Sequence, residues 1–370
     1  MRRPFRGSGP GLSAEGGGLP GQSESRGLNR RGTLGAAGWK VSISVLAVVA
    51  QLGCAIPRMQ QPADARGEPS LGHGETAMAD GYRLPTRVWE PSGPPAAVAI
   101  GLHGFNDYHA AFDGVGPFLA QRGILVLAYD QRGFGATEQR GIWPGTEQLV
   151  SDLRAVTDLV RRRYPGTPLY VIGESMGGAV AMVALAQTDP PAIDGLVLVA
   201  PAVWSPQTMN PIQFGALWIA AHTVPGLKVS GRGLGIRPSD NQAMLDRLGR
   251  DPLVIKDTRI DALWGMTLLM DRVYRGGIRV EIPTLLLYGA NDQIIPKRAF
   301  CELAQTLPES GSGSWRVLLY PEGYHMLTRD LKADIVLNDL AAWLLTPSGK
   351  LPSGLEVGLG SGPLEAFCGG

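Results

Sequence analysis

Residues 173–177 read Gly-Glu-Ser-Met-Gly, and Ser175 at their centre is the leading candidate for covalent chemistry in this chain. A serine hydroxyl is a weak nucleophile until a neighbouring base takes its proton. Five histidines could supply that base. His73 lies in the lead-in to the patterned region, His103 and His109 precede the serine, and His222 falls in an irregular interval. His325, in Gly323-Tyr324-His325, follows an apolar run at Trp315–Tyr320. An imidazole base needs an acid to orient it and to stabilise its charged form. Asp292 fits, because Gly289-Ala290-Asn291-Asp292 comes directly after the apolar run Thr284–Tyr288. A G-x-S-x-G match alone is weak in a chain with 51 glycines among 370 residues. Its setting strengthens it: an apolar run at 169–172 leads in and a helical pattern at 177–187 leads out. That strand–turn–helix sequence lifts a serine above a sheet.

Serine attack on an ester or amide creates a negative oxygen that needs two preorganised donors. One is the backbone N–H of Met176, directly after the nucleophile. The other is the N–H of Phe105 in His103-Gly104-Phe105-Asn106, a turn at the end of an earlier apolar run. His103 reads as a hydrogen-bonding brace for that turn rather than as a participant in the chemistry. Asp130 and Arg132, in Asp130-Gln131-Arg132-Gly133-Phe134-Gly135, read as structural supports beside the site.

These groups need a scaffold, and the hydrophobic pattern supplies one. Short apolar runs at 82–89, 96–102, 124–129, 169–172, 196–200, 284–288 and 315–320 alternate with amphipathic segments at 146–164, 177–187, 298–307 and 333–345. In 146–164, Leu149, Val150, Leu153, Val156, Leu159 and Val160 recur at three- and four-residue spacing, one face of a helix. Fully apolar strands alternating with such helices predict an α/β protein, with a mostly parallel sheet covered on both faces. Each candidate residue then lies just past the carboxyl end of a strand. The interval 201–280 breaks the alternation. It carries Ile212, Phe214, Leu217, Trp218 and Ile219, then Leu263, Trp264, Met266, Leu268, Leu269 and Met270, most of which are expected to pack inward.

The segments HGFND, DQRGFG, GESMGG, GANDQIIP and EGYHML together resemble the monoacylglycerol lipase and lysophospholipase branch of the α/β-hydrolases, a serine aminopeptidase-like hydrolase domain. The order Ser175, Asp292, His325 is the order of that superfamily. The resemblance implies a mostly parallel central sheet flanked by helices, with a helical cap inserted after the sixth strand. It also implies a Ser175–Asp292–His325 triad, Phe105 and Met176 as oxyanion donors, and no cofactor or metal. Glu174 departs from the pattern, since the branch commonly has histidine there.

The termini read differently from the centre. Residues 1–40 hold eleven glycines and seven Lys or Arg against two Glu, giving a flexible basic extension. Residues 41–54 follow, with nine apolar residues in Val41–Leu52, too short to span a bilayer comfortably but built like a secretory signal. Gly53-Cys54 resembles a bacterial lipobox, which implies lipidation at Cys54 and a membrane-anchored envelope protein facing the periplasm or exterior. Residues 55–76 are expected to be a linker, 77–345 the hydrolase domain with 201–280 as its cap, and 346–370 a loose glycine-rich tail. Cys301 and Cys368 could pair in an oxidising compartment. A 44% hydrophobic composition argues against a disordered protein, and a net charge of +1 gives no reason to expect nucleic acid.

The resulting expectation is a serine ester hydrolase of monoacyl lipids, acting through an acyl-enzyme on Ser175 and touching membrane through its N-terminus and cap. A peptidase of the proline-iminopeptidase type, a thioesterase or an acyltransferase would use the same triad. A non-catalytic binding module is disfavoured because every catalytic position is filled. Dehalogenase and epoxide-hydrolase chemistry is disfavoured because those enzymes place aspartate at the elbow.

Overall fold

The computed structural model describes residues 55–369, apart from 62, 65, 205, 207, 208, 276–279, 308–314 and 361. The basic extension, the signal-like segment and Cys54 lie outside the described residues. The strands are β1 (Ser70–Leu71), β2 (Glu75–Ala77), β3 (Arg83–Trp89), β4 (Ala97–Leu102), β5 (Ile124–Tyr129), β6 (Leu169–Glu174), β7 (Gly195–Val199), β8 (Lys228–Ser230), β9 (Asp257–Arg259), β10 (Thr284–Gly289), β11 (Trp315–Tyr320) and β12 (Glu356–Val357). The helices are α1 (Val115–Ala120), α2 (Thr146–Arg163), α3 (Met176–Leu185), α4 (Pro211–Thr223), α5 (Gln242–Arg250), α6 (Ile260–Arg275), α7 (Lys297–Thr306), α8 (Ala333–Leu345) and α9 (Gly362–Gly369).

Ten strands form one sheet in the order β1-β2-β3-β5-β4-β6-β7-β10-β11-β12. From β5 to β11 every pairing is parallel, while β3 and β12 join antiparallel. Every residue of β4, β5, β6, β7 and β10 is buried. Strand alternation divides them between two cores. Val98, Ile100 and Leu102 face one core with Leu153 of α2, Val180 of α3 and Phe300 of α7. Ala97 and Ala99 face the other with Leu119 of α1 and Trp343 of α8. Runs that are apolar on both faces are stable only when both faces are covered, which is why these strands pair in parallel.

Strand order reverses direction between β4 and β6. Chain order leads from β4 to β5 on one side, and from β6 to β7 on the other. A crevice forms outside the carboxyl ends at such a switch point. Register places Leu102, the last residue of β4, opposite Gly173 of β6. Gly289, the last residue of β10, pairs with Tyr320, the last of β11. The loops carrying Phe105, Ser175, Asp292 and His325 therefore leave the same edge of the sheet.

The interval after β7 holds α4, the β8–β9 hairpin, α5 and α6. Insertion was expected after a sixth strand. The apolar runs account for five strands before the insertion, and the two- and three-residue β1 and β2 make β7 the seventh; strands that short carry no period for sequence reading to find. Most of the eleven apolar cap residues were expected to pack inward, but only three are buried, with Phe214, Leu217, Leu263 and Trp264 half-buried. Met266, Leu269 and Met270 of α6 are buried, whereas Ile212, Trp218 and Ile219 of α4 are exposed, as is Leu268.

Two further expectations are corrected. Residues 55–76 are not a free linker. The Ala55 N–H donates to the His222 carbonyl at 3.0 Å and the Gln60 N–H to the Trp143 carbonyl at 2.9 Å, while β1 and β2 extend the sheet. The tail is not loose. Leu351 and Leu364 are buried, β12 pairs with β11, Arg316 holds Glu356, and Cys301 of α7 is disulfide-bonded to Cys368 of α9. Both segments carry isolated apolar residues without a period. Such residues acquire a burial site only once another part of the fold has built the surface they cover.

Candidate active site

Ser175 sits between β6 and α3 with φ 51° and ψ −111°, a left-handed conformation that is costly for a residue bearing a side chain. Three backbone bonds hold it there. Its N–H donates to the Val199 carbonyl at 2.9 Å, and its own carbonyl accepts from Ala202 at 3.0 Å and Ala179 at 3.2 Å. The turn needs glycine at its shoulder because a Cβ on Gly177 would lie 2.2 Å from the Leu102 carbonyl oxygen. Met176 opens α3, so its N–H belongs to the first turn of the helix, where amides have no intrahelical acceptor.

The β4 loop lies against this elbow: a Cβ built on Gly104 would sit 3.4 Å from the Ser175 Cβ. His103 braces that loop. Its Nδ1 meets the Gly104 carbonyl at 2.8 Å, and its Nε2 accepts the Gln131 N–H at 2.9 Å. Those partners require a neutral ring protonated on Nδ1. Burial, which lowers the His103 pKa against the opposing pull of Asp130, favours the same state. Asp130 in turn accepts from the His109 and Ala136 amides, and Arg132 is paired with Asp152 and Asp80. Their supporting role matches the sequence reading.

Asp292 and His325 meet. His325 Nδ1 lies 2.8 Å from Asp292 Oδ2, and neither side chain is more than 7% exposed. The other carboxylate oxygen, Oδ1, accepts from the Ile294 and Ile295 amides at 2.7 and 2.9 Å, which fixes the acid's orientation. The Asn291 N–H donates to the Gly323 carbonyl at 2.9 Å, tying the acid loop to the histidine loop. With Nδ1–H engaged by the carboxylate, Nε2 keeps its lone pair free to act as a base. The described residues contain no cluster of His, Cys, Asp or Glu able to hold a metal ion.

Sequence reasoning missed two sets of contacts. Arg329, four residues after His325, is buried between Asp107 at 2.7 Å and Glu174 at 2.5 Å. Glu174 stood out as a departure from the branch, but no spacing linked it to an arginine 155 positions away. The cap also grips the β4 loop. Asn106 donates through Nδ2 to Thr258 Oγ1 at 2.7 Å and accepts at its carbonyl from the Ile255 N–H at 2.9 Å. The Tyr108 hydroxyl reaches Asp251 at 2.7 Å.

Residues 93–332 match the family model described as serine aminopeptidase, S33. The chain is 30% identical to monoglyceride lipase of Mus musculus over 273 residues, covering 72% of this chain and 88% of that one. It belongs to the monoacylglycerol lipase branch of the α/β-hydrolase superfamily. A monoacylglycerol lipase of Mycolicibacterium smegmatis is 23% identical over 282 residues, 73% of this chain and 95% of the relative. A soluble variant of monoglyceride lipase from Saccharomyces cerevisiae, solved with a substrate analog, shares the fold with a TM-score of 0.64 at 20% identity. That match covers 79% of this chain and all of that one. Within this branch, the elbow serine and the hydrogen-bonded Asp–His pair occupy the loops that the superfamily uses for its triad.

Proposed function

We propose that this protein hydrolyses carboxylic esters of monoacyl lipids, of monoacylglycerol or lysophospholipid type, with Ser175 as nucleophile, His325 as general base and acid, and Asp292 as its orienting carboxylate. The Asp292–His325 hydrogen bond, on loops at the same sheet edge as the strained Ser175 elbow, carries the reading. Ser175 Oγ attacks the ester carbonyl carbon as His325 Nε2 takes its proton. The tetrahedral oxyanion is held by the N–H groups of Phe105 and Met176. Collapse expels the alcohol, which receives the proton from His325 and leaves an acyl group on Ser175. Water activated by the same imidazole then releases the fatty acid and restores the serine.

The same reading includes an envelope location, with the chain anchored through Cys54 and the cap resting on the membrane. Three features support it. The apolar stretch Val41–Leu52 precedes Gly53-Cys54. Ala55 is bonded to His222 at the end of α4, whose Ile212, Trp218 and Ile219 are exposed. The Cys301–Cys368 disulfide suits an oxidising compartment.

The test is a substrate panel of p-nitrophenyl esters of increasing chain length, monoacylglycerols, lysophospholipids and aminoacyl amides, each run beside Ser175→Ala. Turnover of monoacyl esters that Ser175→Ala abolishes is expected. Preference for aminoacyl amides would replace the lipase reading with a peptidase, and turnover equal to that of Ser175→Ala would end the enzymatic reading. Mass spectrometry of membrane-fraction protein tests the anchor. An unmodified Cys54 peptide still joined to upstream residues overturns it.

A further inference from the structure

We propose that Arg329 is a positioning residue: its guanidinium, buried between Asp107 and Glu174, aligns the oxyanion loop and the nucleophile elbow on the loop that carries His325. The inference rests on the hydrolase reading above and extends it to a residue outside the triad.

The β4 loop, the end of β6 and the turn after β11 converge on this one side chain. Asp107 follows the Phe105–Asn106 turn after β4. Its N–H donates to the Gly104 carbonyl at 3.2 Å, its Oδ1 accepts the Tyr108 N–H at 2.9 Å, and its Oδ2 meets Arg329 Nη1 at 2.7 Å. Glu174 immediately precedes the nucleophile and meets Arg329 Nη2 through Oε1. Arg329 itself closes a short turn after His325, its N–H bonded to the Met326 carbonyl at 2.8 Å. Moving any one loop would therefore pull on the other two.

The bonding pattern is that of a bridge rather than of simple charge cancellation. An arginine pairs most strongly with one carboxylate through two parallel bonds. Arg132 does this with Asp152, using Nε and Nη2 at 2.9 Å each. Arg329 instead splits Nη1 and Nη2 between carboxylates on two different segments, and its buried Nε has no hydrogen-bond partner among the described residues. Burial by itself would lower the Arg329 pKa. The two carboxylates outweigh that and hold it above the ordinary arginine value, so the guanidinium keeps its charge.

The trio contains two carboxylates and one cation, and all three side chains are at most 11% exposed. Removing the cation alone strands two buried negative charges, which destabilises strongly whatever the catalytic role. A test must therefore separate stability from alignment. Three variants of the full chain do so: Arg329→Met, Arg329→Lys, and the neutral triple Asp107→Asn, Glu174→Gln, Arg329→Met. Thermal midpoints and steady-state kinetics on p-nitrophenyl butyrate would be measured beside wild type and Ser175→Ala.

Arg329→Met is expected to melt lower and lose at least about tenfold in kcat with KM little changed, because misaligned loops lose interactions made mainly in the transition state. The triple, with no stranded charge, is expected to recover the melting temperature but not kcat. Arg329→Lys keeps the charge without the planar fork and should recover only part of kcat. If Arg329→Met does not fold, the triple and the lysine variant still decide. A triple that regains wild-type kcat with its stability overturns the proposal, since neutralisation would then be the whole role. A lysine variant with full kcat overturns it too. Wild-type turnover no higher than Ser175→Ala would instead remove the hydrolase reading itself, a result distinct from either.

Discussion

Asn106 Nδ2 lies 2.7 Å from Thr258 Oγ1, joining the loop that carries the Phe105 amide to the descending strand of the cap. Asn106 adopts φ 67°, a conformation asparagine tolerates better than other residues with a Cβ. Cap and oxyanion loop are thus bonded through a backbone already held in an uncommon state. Replacing Asn106 with glycine keeps that backbone accessible and removes only the side-chain bond. One such bond is worth about 1 kcal/mol, so kcat/KM should fall about fivefold. Thr258→Val should do the same, and the double variant should cost no more than either single change. Additive losses in the double variant would show that the two side chains act separately.

Stability should fall on acidification partly through His103. Burial holds its pKa below the ordinary value of 6.5, so the unfolded chain binds a proton there more readily than the folded protein does. Its contribution is complete above about pH 6.5 and is lost as pH falls toward the folded-state value. Denaturant unfolding at pH 7.5 and 5.5 checks this. Wild type should lose more stability between the two than His103→Asn does, and equal losses would contradict the assignment.

Two glycines should respond in opposite directions to alanine. At Gly177 the new Cβ meets the Leu102 carbonyl oxygen at 2.2 Å, and backbone there cannot move without disturbing β4. The cost should reach the upper end of the overpacking range, about 3 kcal/mol or more, and soluble yield should drop. Gly249, inside α5, has nothing within 4 Å of the added atom, so Gly249→Ala should stabilise by about 0.5–1 kcal/mol. Melting temperatures of the two variants read both signs.

Reduction should loosen the carboxyl-terminal helix. The Cys301–Cys368 bond spans 67 residues, and the chain-entropy model gives such a loop roughly 4 kcal/mol. The helix it ties down brings Phe367 to 6.2 Å from Tyr288, whose hydroxyl donates at 2.8 Å to the Ile295 carbonyl beside Asp292. Cys301→Ser, or wild type in dithiothreitol, should melt several degrees lower. Cleavage by trypsin after Lys350, the one tryptic site in residues 350–370, should accelerate in parallel. An unchanged melting temperature would mean that packing alone secures α9.

Much of the scaffold was legible because its signals are local. Runs such as Ile124–Tyr129 are apolar throughout, which only a covered parallel sheet tolerates, and the face of α2 repeats at helical spacing. Ser175, Asp292 and His325 were legible for the same reason, since each follows a strand end and their order fits one superfamily. What sequence could not reach were pairings between residues far apart, where no spacing links one partner to the other. Glu174 needs Arg329 only because β6 and the turn after β11 open onto one crevice. Asn106 meets Thr258 only because the cap folds back over β4.

The termini divide along the same line. Sequence alone determined that residues 41–52 are apolar and are followed by a cysteine, a statement about composition. Tertiary structure decided that residues 55–60 lie against His222 and Trp143, and that a tail without periodicity supplies β12 and a disulfide-bound helix. Periodicity reports a segment able to bury one of its own faces. It is silent about segments that are ordered only by a surface the rest of the chain provides.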